Sequence, residues 1–186
     1  MTVPVQPWST LTSDQKRVRT LEAANDLFSR EGIDAPMPAL AEALGVGVGS
    51  IYRQVGPKDD LIAALVIQRS QILVERFSAA LGSPDPWAAL ETATHETVDD
   101  CIGDALSQTA WDEATFANDE VRTARVAATE SLAALVERAR EAGALRDDAS
   151  HEDLRIAFRA LRDLGGIGPD SAHRLAELVL RGMHAE

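Results

Sequence analysis

Apolar residues recur along this chain at the spacing of a helix face, and no stretch alternates Val or Thr as a half-buried strand would. Val18, Leu21, Ala24, Leu27 and Phe28 share one face of a first helix, expected from about Ser13 to Glu31 with Ser13 as its cap. Leu40, Ala41 and Leu44 mark a short second helix over 37–44, stopped by Gly45, a residue that tolerates positive φ. Residues 48–55 form a third segment too short to be stable alone, yet Ile51 and Val55 fall at i, i+4 for burial. Gly56 ends that helix and Pro57 opens a fourth, which runs to about Ala80. Its double stripe of Leu61, Ile62, Leu65, Val66, Ile72, Leu73 and Phe77 predicts burial on most sides, as in a helix that joins two domains. Gly82-Ser83-Pro84-Asp85-Pro86 is a loop. Beyond it, Trp87, Leu90, Thr94, Val98, Cys101, Ile102 and Ala105 mark a long amphipathic helix, followed by a short segment from Trp111 to Phe116. Val121, Ala124, Ala128, Leu132, Leu135 and Ala139 mark another, ending near Gly143. Leu154–Leu164 and Ala172–Met183 complete an all-α reading.

The stretch Leu40 to Leu61 carries the most information. A short helix exposing Ser50, Tyr52, Arg53 and Gln54 after a glycine turn has the layout of a helix-turn-helix, whose second helix enters the DNA major groove. Gly45-Val46, Gly49-Ser50-Ile51-Tyr52 and Pro57-Lys58-Asp59-Asp60-Leu61 resemble the tetracycline-repressor (TetR) family of bacterial transcriptional regulators. Ala23, Ala24, Leu27, Phe28, Gly32 and Ile33 match that family's first helix and its glycine stop. The resemblance covers about residues 14 to 70. It implies about nine helices and no sheet: an N-terminal three-helix DNA-binding domain and a C-terminal helical domain that binds an effector and dimerises. Two departures stand out. Gln54 and Val55 replace the family's His or Tyr and its Phe, and Pro36-Met37-Pro38 replaces a Ser or Thr start of the second helix.

The reading helix is bare at its start, since Gly47, Val48 and Gly49 offer almost no polar reach. Arg53 alone is able to pair bidentately with guanine O6 and N7. Val48 suits a thymine methyl, Ser50 a base or a phosphate, and Gln54 a phosphate. The resemblance gives Tyr52, the single tyrosine, a phosphate contact through its hydroxyl. Lys58 opposes the dipole at the start of the fourth helix, which makes sense where a phosphate binds the same amides. With so few reading side chains, DNA shape and half-site spacing are expected to supply part of the specificity.

Net charge runs against this reading at first sight, because the 186 residues sum to −12. Residues 1–60 hold six basic and eight acidic residues, whereas 61–186 hold twelve and twenty-two, so the acidity sits away from the reading head. It would repel DNA there and help orient the N-terminal face toward it. The same acidity leaves a cationic effector open, although a solvated surface explains it equally well. Cys101 is the single cysteine, which excludes an internal disulfide and suits a reducing cytoplasm. The N-terminus lacks a signal-peptide pattern, and no aliphatic run is long enough to cross a bilayer. Residues 1–12 read as a flexible tail, 13–60 as the DNA-binding domain with its motif at about 36–55, and 61–186 as the effector-binding and dimerisation domain.

The C-terminal part has no convergent catalytic set, so an enzyme is not expected, and neither is a cofactor. Glu91, His95 and Asp99 share a helix face, but no second ligand cluster accompanies them, and no metal is expected. Cys101 reads as a small core residue. His95, Trp111 and Phe116 are candidates for the wall of an effector cavity placed, by family likeness, among the helices near 61–80, 87–106 and 119–142. Gly165-Gly166-Ile167-Gly168-Pro169 resembles the phosphate-holding helix-hairpin-helix of repair proteins, but Asp170 stands where a basic residue belongs. The expectation is a repressor that binds palindromic operator DNA as a homodimer through about residues 151–184 and is released by a small molecule. The alternative is a helical scaffold, or a structure-selective nucleic-acid binder using Gly165 to Pro169.

Overall fold

Thr12 caps the first helix. Its hydroxyl accepts the Gln15 N–H, and the Gln15 side chain accepts the Thr12 N–H in return, a reciprocal box that satisfies two otherwise open donors. Ser13, expected as the cap, is instead the first helical residue, and its hydroxyl donates to Gln54 Oε1 at 3.2 Å. The computed structural model describes residues 6–102, 104–106, 118–164 and 167–185. Among them are eight helices: α1 (Ser13–Glu31), α2 (Met37–Leu44), α3 (Val48–Val55), α4 (Lys58–Ala80), α5 (Pro86–Cys101), α6 (Asp119–Glu141), α7 (His151–Asp163) and α8 (Pro169–Met183). No strand occurs among the described residues, only an isolated bridge between Leu145 and His184. The segment expected from Trp111 to Phe116 lies outside the described residues. Of the stretch read as a tail, Trp8–Thr10 form a 3-10 turn, and Arg19 donates to the Gln6 carbonyl at 2.8 Å.

Glycines punctuate the first half where backbone geometry requires them. Gly45 adopts φ 66°, ψ 34° and returns its N–H to the Ala41 and Glu42 carbonyls, which closes α2 and turns the chain into α3. Gly56 adopts φ 73°, a conformation that strains any residue with a Cβ, and a Cβ there would also push aside the Asp60 carboxylate 2.9 Å away.

Two apolar cores result. The first gathers Ala24, Leu27 and Phe28 of α1, Leu40 and Ala41 of α2, Ile51 and Val55 of α3, and Leu61, Ile62, Leu65 and Val66 of α4. The second joins Phe77, at the far end of α4, to Leu90 and Val98 of α5, Leu132 and Leu135 of α6, Leu154 and Phe158 of α7, and Ala176 and Leu180 of α8. The double stripe of α4 thus serves both cores in turn. By packing, the first half of α4 belongs with the three N-terminal helices. Leu106 and Val121, from the C-terminal part of the sequence, are fully buried in the first core, so the two regions share more than one helix.

Candidate nucleic-acid interface and internal cavity

Ile51 is completely buried and Val55 nearly so, and these two side chains fix which face of α3 remains outside. Burying each contributes about 1.5–3 kcal/mol, enough to hold a helix that could not stand alone. Val55 is smaller than the aromatic residue the family pattern expects, yet it fills the same inward position. Tyr52 is 46% exposed, and Arg53 stands beside it, also exposed. Arg53 Nη2 donates to Ser50 Oγ at 2.9 Å, one turn back on the same helix. Ser50 and Arg53 are therefore joined on the outward side of α3, and Tyr52 is exposed on its flank.

The two glycines at the start of α3 have no internal reason to be glycine. Gly47 has φ −75°, and a Cβ added at Gly47 or Gly49 would meet nothing within 4 Å. Their effect is to keep the start of the helix free of side chains on its open side. Gln54 faces back toward α1: its Oε1 accepts from Ser13, and its backbone carbonyl accepts from Arg17 Nη1 at 3.0 Å. Arg17 is thereby drawn to the edge of the same surface, a placement that the sequence signalled only as a basic cluster. Lys58 is the first residue of α4, after Pro57 as cap, and its ammonium lies 5.6 Å from the centre of the Phe28 ring. Asp59 and Asp60 complement the helix dipole that Lys58 opposes.

Residues 21–65 match the family described as bacterial regulatory proteins, tetR family, and residues 85–185 match the C-terminal domain described as transcriptional regulator SbtR-like. This chain belongs to the TetR family. It is therefore a DNA-binding transcriptional regulator and not an enzyme. Among solved structures, the chain is similar to a TetR transcriptional regulator from Streptomyces coelicolor at 28% identity and TM-score 0.69, covering 90% of this chain and 98% of that one. It also shares the fold of a TetR transcription regulatory protein from Mycobacterium vanbaalenii (24% identity, TM-score 0.67, 93% and 97% covered). The fold of AmtR from Mycobacterium smegmatis is similar too (21% identity, TM-score 0.66, 95% and 88% covered). Among curated proteins, none matches the chain by sequence. No described helix is long and apolar enough to cross a membrane.

A partly open cavity of about 900 Å³ lies between α1, α4, α5, α6 and α7. That size lies within the range of small-molecule sites. Leu73, Phe77, Leu132 and Phe158 give it apolar walls. Of the three residues expected there, Trp111 and Phe116 lie outside the described residues. His95 is not among the described lining residues: it faces α8, where its Nδ1 lies 2.9 Å from His173 Nδ1, and His173 Nε2 lies 2.8 Å from Asp99 Oδ1. Cys101 belongs to the second core, as expected, and also touches the cavity, with Arg162 Nη1 at 4.0 Å from Sγ. Burial pushes the Cys101 thiol above its ordinary range, against the pull of Arg162. Neither Glu91, His95 and Asp99 nor any other described residues form a group able to hold a metal ion. Gly165 and Gly166 lie outside the described residues, and Pro169 opens α8 with Asp170 in its first turn.

Sequence reasoning missed Arg69. From α4 it donates through Nη2 to Asn25 Oδ1 and Ser29 Oγ of α1, both at 3.1 Å, and through Nη1 to Asp104. One guanidinium on the cavity wall thus ties the first helix of the reading head to the segment after α5. Its position on a helical stripe gives no hint of this, because Asn25, Ser29 and Asp104 are all distant from it in sequence.

Proposed function

We propose that this regulator is a repressor that binds a palindromic operator as a homodimer and leaves it when a small molecule fills the internal cavity. The observation that carries the reading is the outward side of α3, where Ser50 and Arg53 are joined and Tyr52 is exposed on the flank of a helix anchored by Ile51 and Val55. One such helix enters the major groove of each half-site, with half-site centres one helical turn apart, about 34–36 Å. Arg53 reads guanine, Val48 and Ser50 approach bases, and Tyr52, Gln54 and Lys58 hold phosphates. The bare backbone at Gly47 and Gly49 allows close approach to the DNA.

Dimerisation uses about residues 151–184. Ile156 on α7 is 65% exposed and Leu178 on α8 is 52% exposed, an apolar pair that a second copy of the same helices would cover. Two joined copies fix the distance between reading heads, and a ligand favouring another distance would lower operator affinity. The routes from cavity to head are α4, which packs in both cores, and the Arg69 bonds to α1. The protein works in the cytoplasm, where its operator lies.

Footprinting on the DNA upstream of its own gene, across a salt series, tests the reading. A protected palindrome with a steep salt dependence, lost in Arg53→Ala, is expected. A folded dimer that protects no site in a genome-wide selection of bound fragments would overturn it.

A further inference from the structure

Thr12 caps α1, and that choice releases the hydroxyl of Ser13 for a partner far along the chain. Ser13 and Arg17 stand four residues apart and so share one face of α1. Both reach the same residue of the short reading helix. Ser13 Oγ donates to Gln54 Oε1 at 3.2 Å, and Arg17 Nη1 donates to the Gln54 main-chain carbonyl at 3.0 Å. That carbonyl lies in the last turn of α3, where helix carbonyls lack a partner within the helix and a cation suits the negative end of the dipole. The helix has eight residues and no side-chain cap at its start. Burial of Ile51 and Val55 fixes which side faces inward, and the two bonds from α1 hold its C-terminal end. The Gln54 carboxamide is thereby given a direction. Its oxygen is turned back to α1, and nothing among the described residues is bonded to its nitrogen.

We propose that Ser13 and Arg17 are positioning residues for DNA binding: together they hold Gln54 so that the N–H donors of its carboxamide face a backbone phosphate. The assignment rests on reading α3 as the helix that enters the groove. A phosphate accepts hydrogen bonds, so it is the amide nitrogen of Gln54 that serves it. The amide oxygen then points away from the DNA, and Ser13 supplies the donor it needs there. An amide already held in that direction loses less freedom when DNA binds. Arg17 acts on the main chain of the same residue, so one face of α1 sets both the backbone and the side chain of Gln54. In the sequence Arg17 is one member of a basic cluster with Lys16 and Arg19, and the fold gives it a bonded task of its own.

The probe is the tightest duplex that the full-length protein recovers from a random-sequence pool, with affinity measured at several salt concentrations. Ser13→Ala and Gln54→Ala should each weaken binding by about threefold or more, the effect of losing one hydrogen bond, with the unfolding midpoint unchanged. Because Ser13 acts through Gln54, the double variant should bind no more weakly than Gln54→Ala alone. Ser13→Thr keeps the hydroxyl and should bind like the unaltered protein. Gln54→Glu accepts from Ser13 but cannot donate to a phosphate, and it should lose more than Gln54→Ala. Arg17→Met should weaken binding with the salt slope unchanged, since a main-chain brace neutralises no phosphate. Losses that multiply in the double variant, or full-strength binding by Ser13→Ala, would overturn the role of Ser13. A salt slope reduced by about one per half-site would make Arg17 a phosphate ligand and overturn its role as a brace. If the unaltered protein recovers no duplex, the reading of α3 falls and this assignment with it. A bound duplex indifferent to both Ser13 and Arg17 sinks the assignment and leaves the reading of α3 standing.

Discussion

Arg53 and Arg69 carry the same guanidinium into opposite surroundings. Arg53 stands on the outer face of α3, exposed, with Ser50 of its own helix as its bonded neighbour. Arg69 has a side chain only 18% exposed and is bonded to Asn25, Ser29 and Asp104 from two other parts of the chain. The first is arranged by one short helix, on the face proposed to meet DNA. The second is arranged by the whole tertiary structure, and burial pulls it below the usual guanidinium range against the attraction of Asp100. Changing the first should alter binding and leave the fold alone, whereas changing the surroundings of the second should alter both.

The strongest way to break this contrast is to remove what anchors the outer face. Ile51→Ala leaves a void under α3 and should cost about 2–5 kcal/mol of stability, measured by denaturant unfolding, with operator binding lost as well. Asp104→Asn takes the formal charge from beside a mostly buried arginine. It should lower stability by about 1–3 kcal/mol, and an unchanged unfolding midpoint would mean that Arg69 is not braced there. Arg53→Ala should cost about 1–3 kcal/mol of operator affinity in a gel-shift titration while unfolding stays unaltered, and equal affinity would remove Arg53 from the reading surface. Gly49→Ala sharpens the comparison further. It should stabilise the isolated protein by about 0.5–1 kcal/mol, because the site is helical and its open side is empty, yet weaken operator binding through the added methyl. The smallest effect concerns Cys101. With its thiol raised by burial, alkylation at neutral pH should be slower than that of a free thiol and should accelerate only above the ordinary thiol range.

The order of helices was legible because each boundary has a local cause. Gly45, Gly56 and Pro57 end or open helices by their own backbone preferences, and Ile51 and Val55 mark the inward side of α3 by spacing alone. The cap of α1 was misplaced by one residue because Thr12 and Ser13 are both competent caps, and the choice follows from the reach of Gln15. His95 is expected from the sequence at a cavity wall, and it faces α8 instead. Its direction depends on α8, which carries His173 seventy-eight residues away.

Net charge is summed over a surface, whereas a ligand meets only the few groups that line its site. The chain by itself determined the all-α class, the helix-turn-helix and the outward set of Ser50, Tyr52 and Arg53, since these depend on glycine geometry and helical period within about twenty residues. Tertiary structure alone decided that Leu106 and Val121 close the first core, that Arg69 joins the cavity to α1, and that arginines line an acidic protein's interior. Those outcomes come from helices meeting across long stretches of chain, and no local preference encodes which side chains will face one another there.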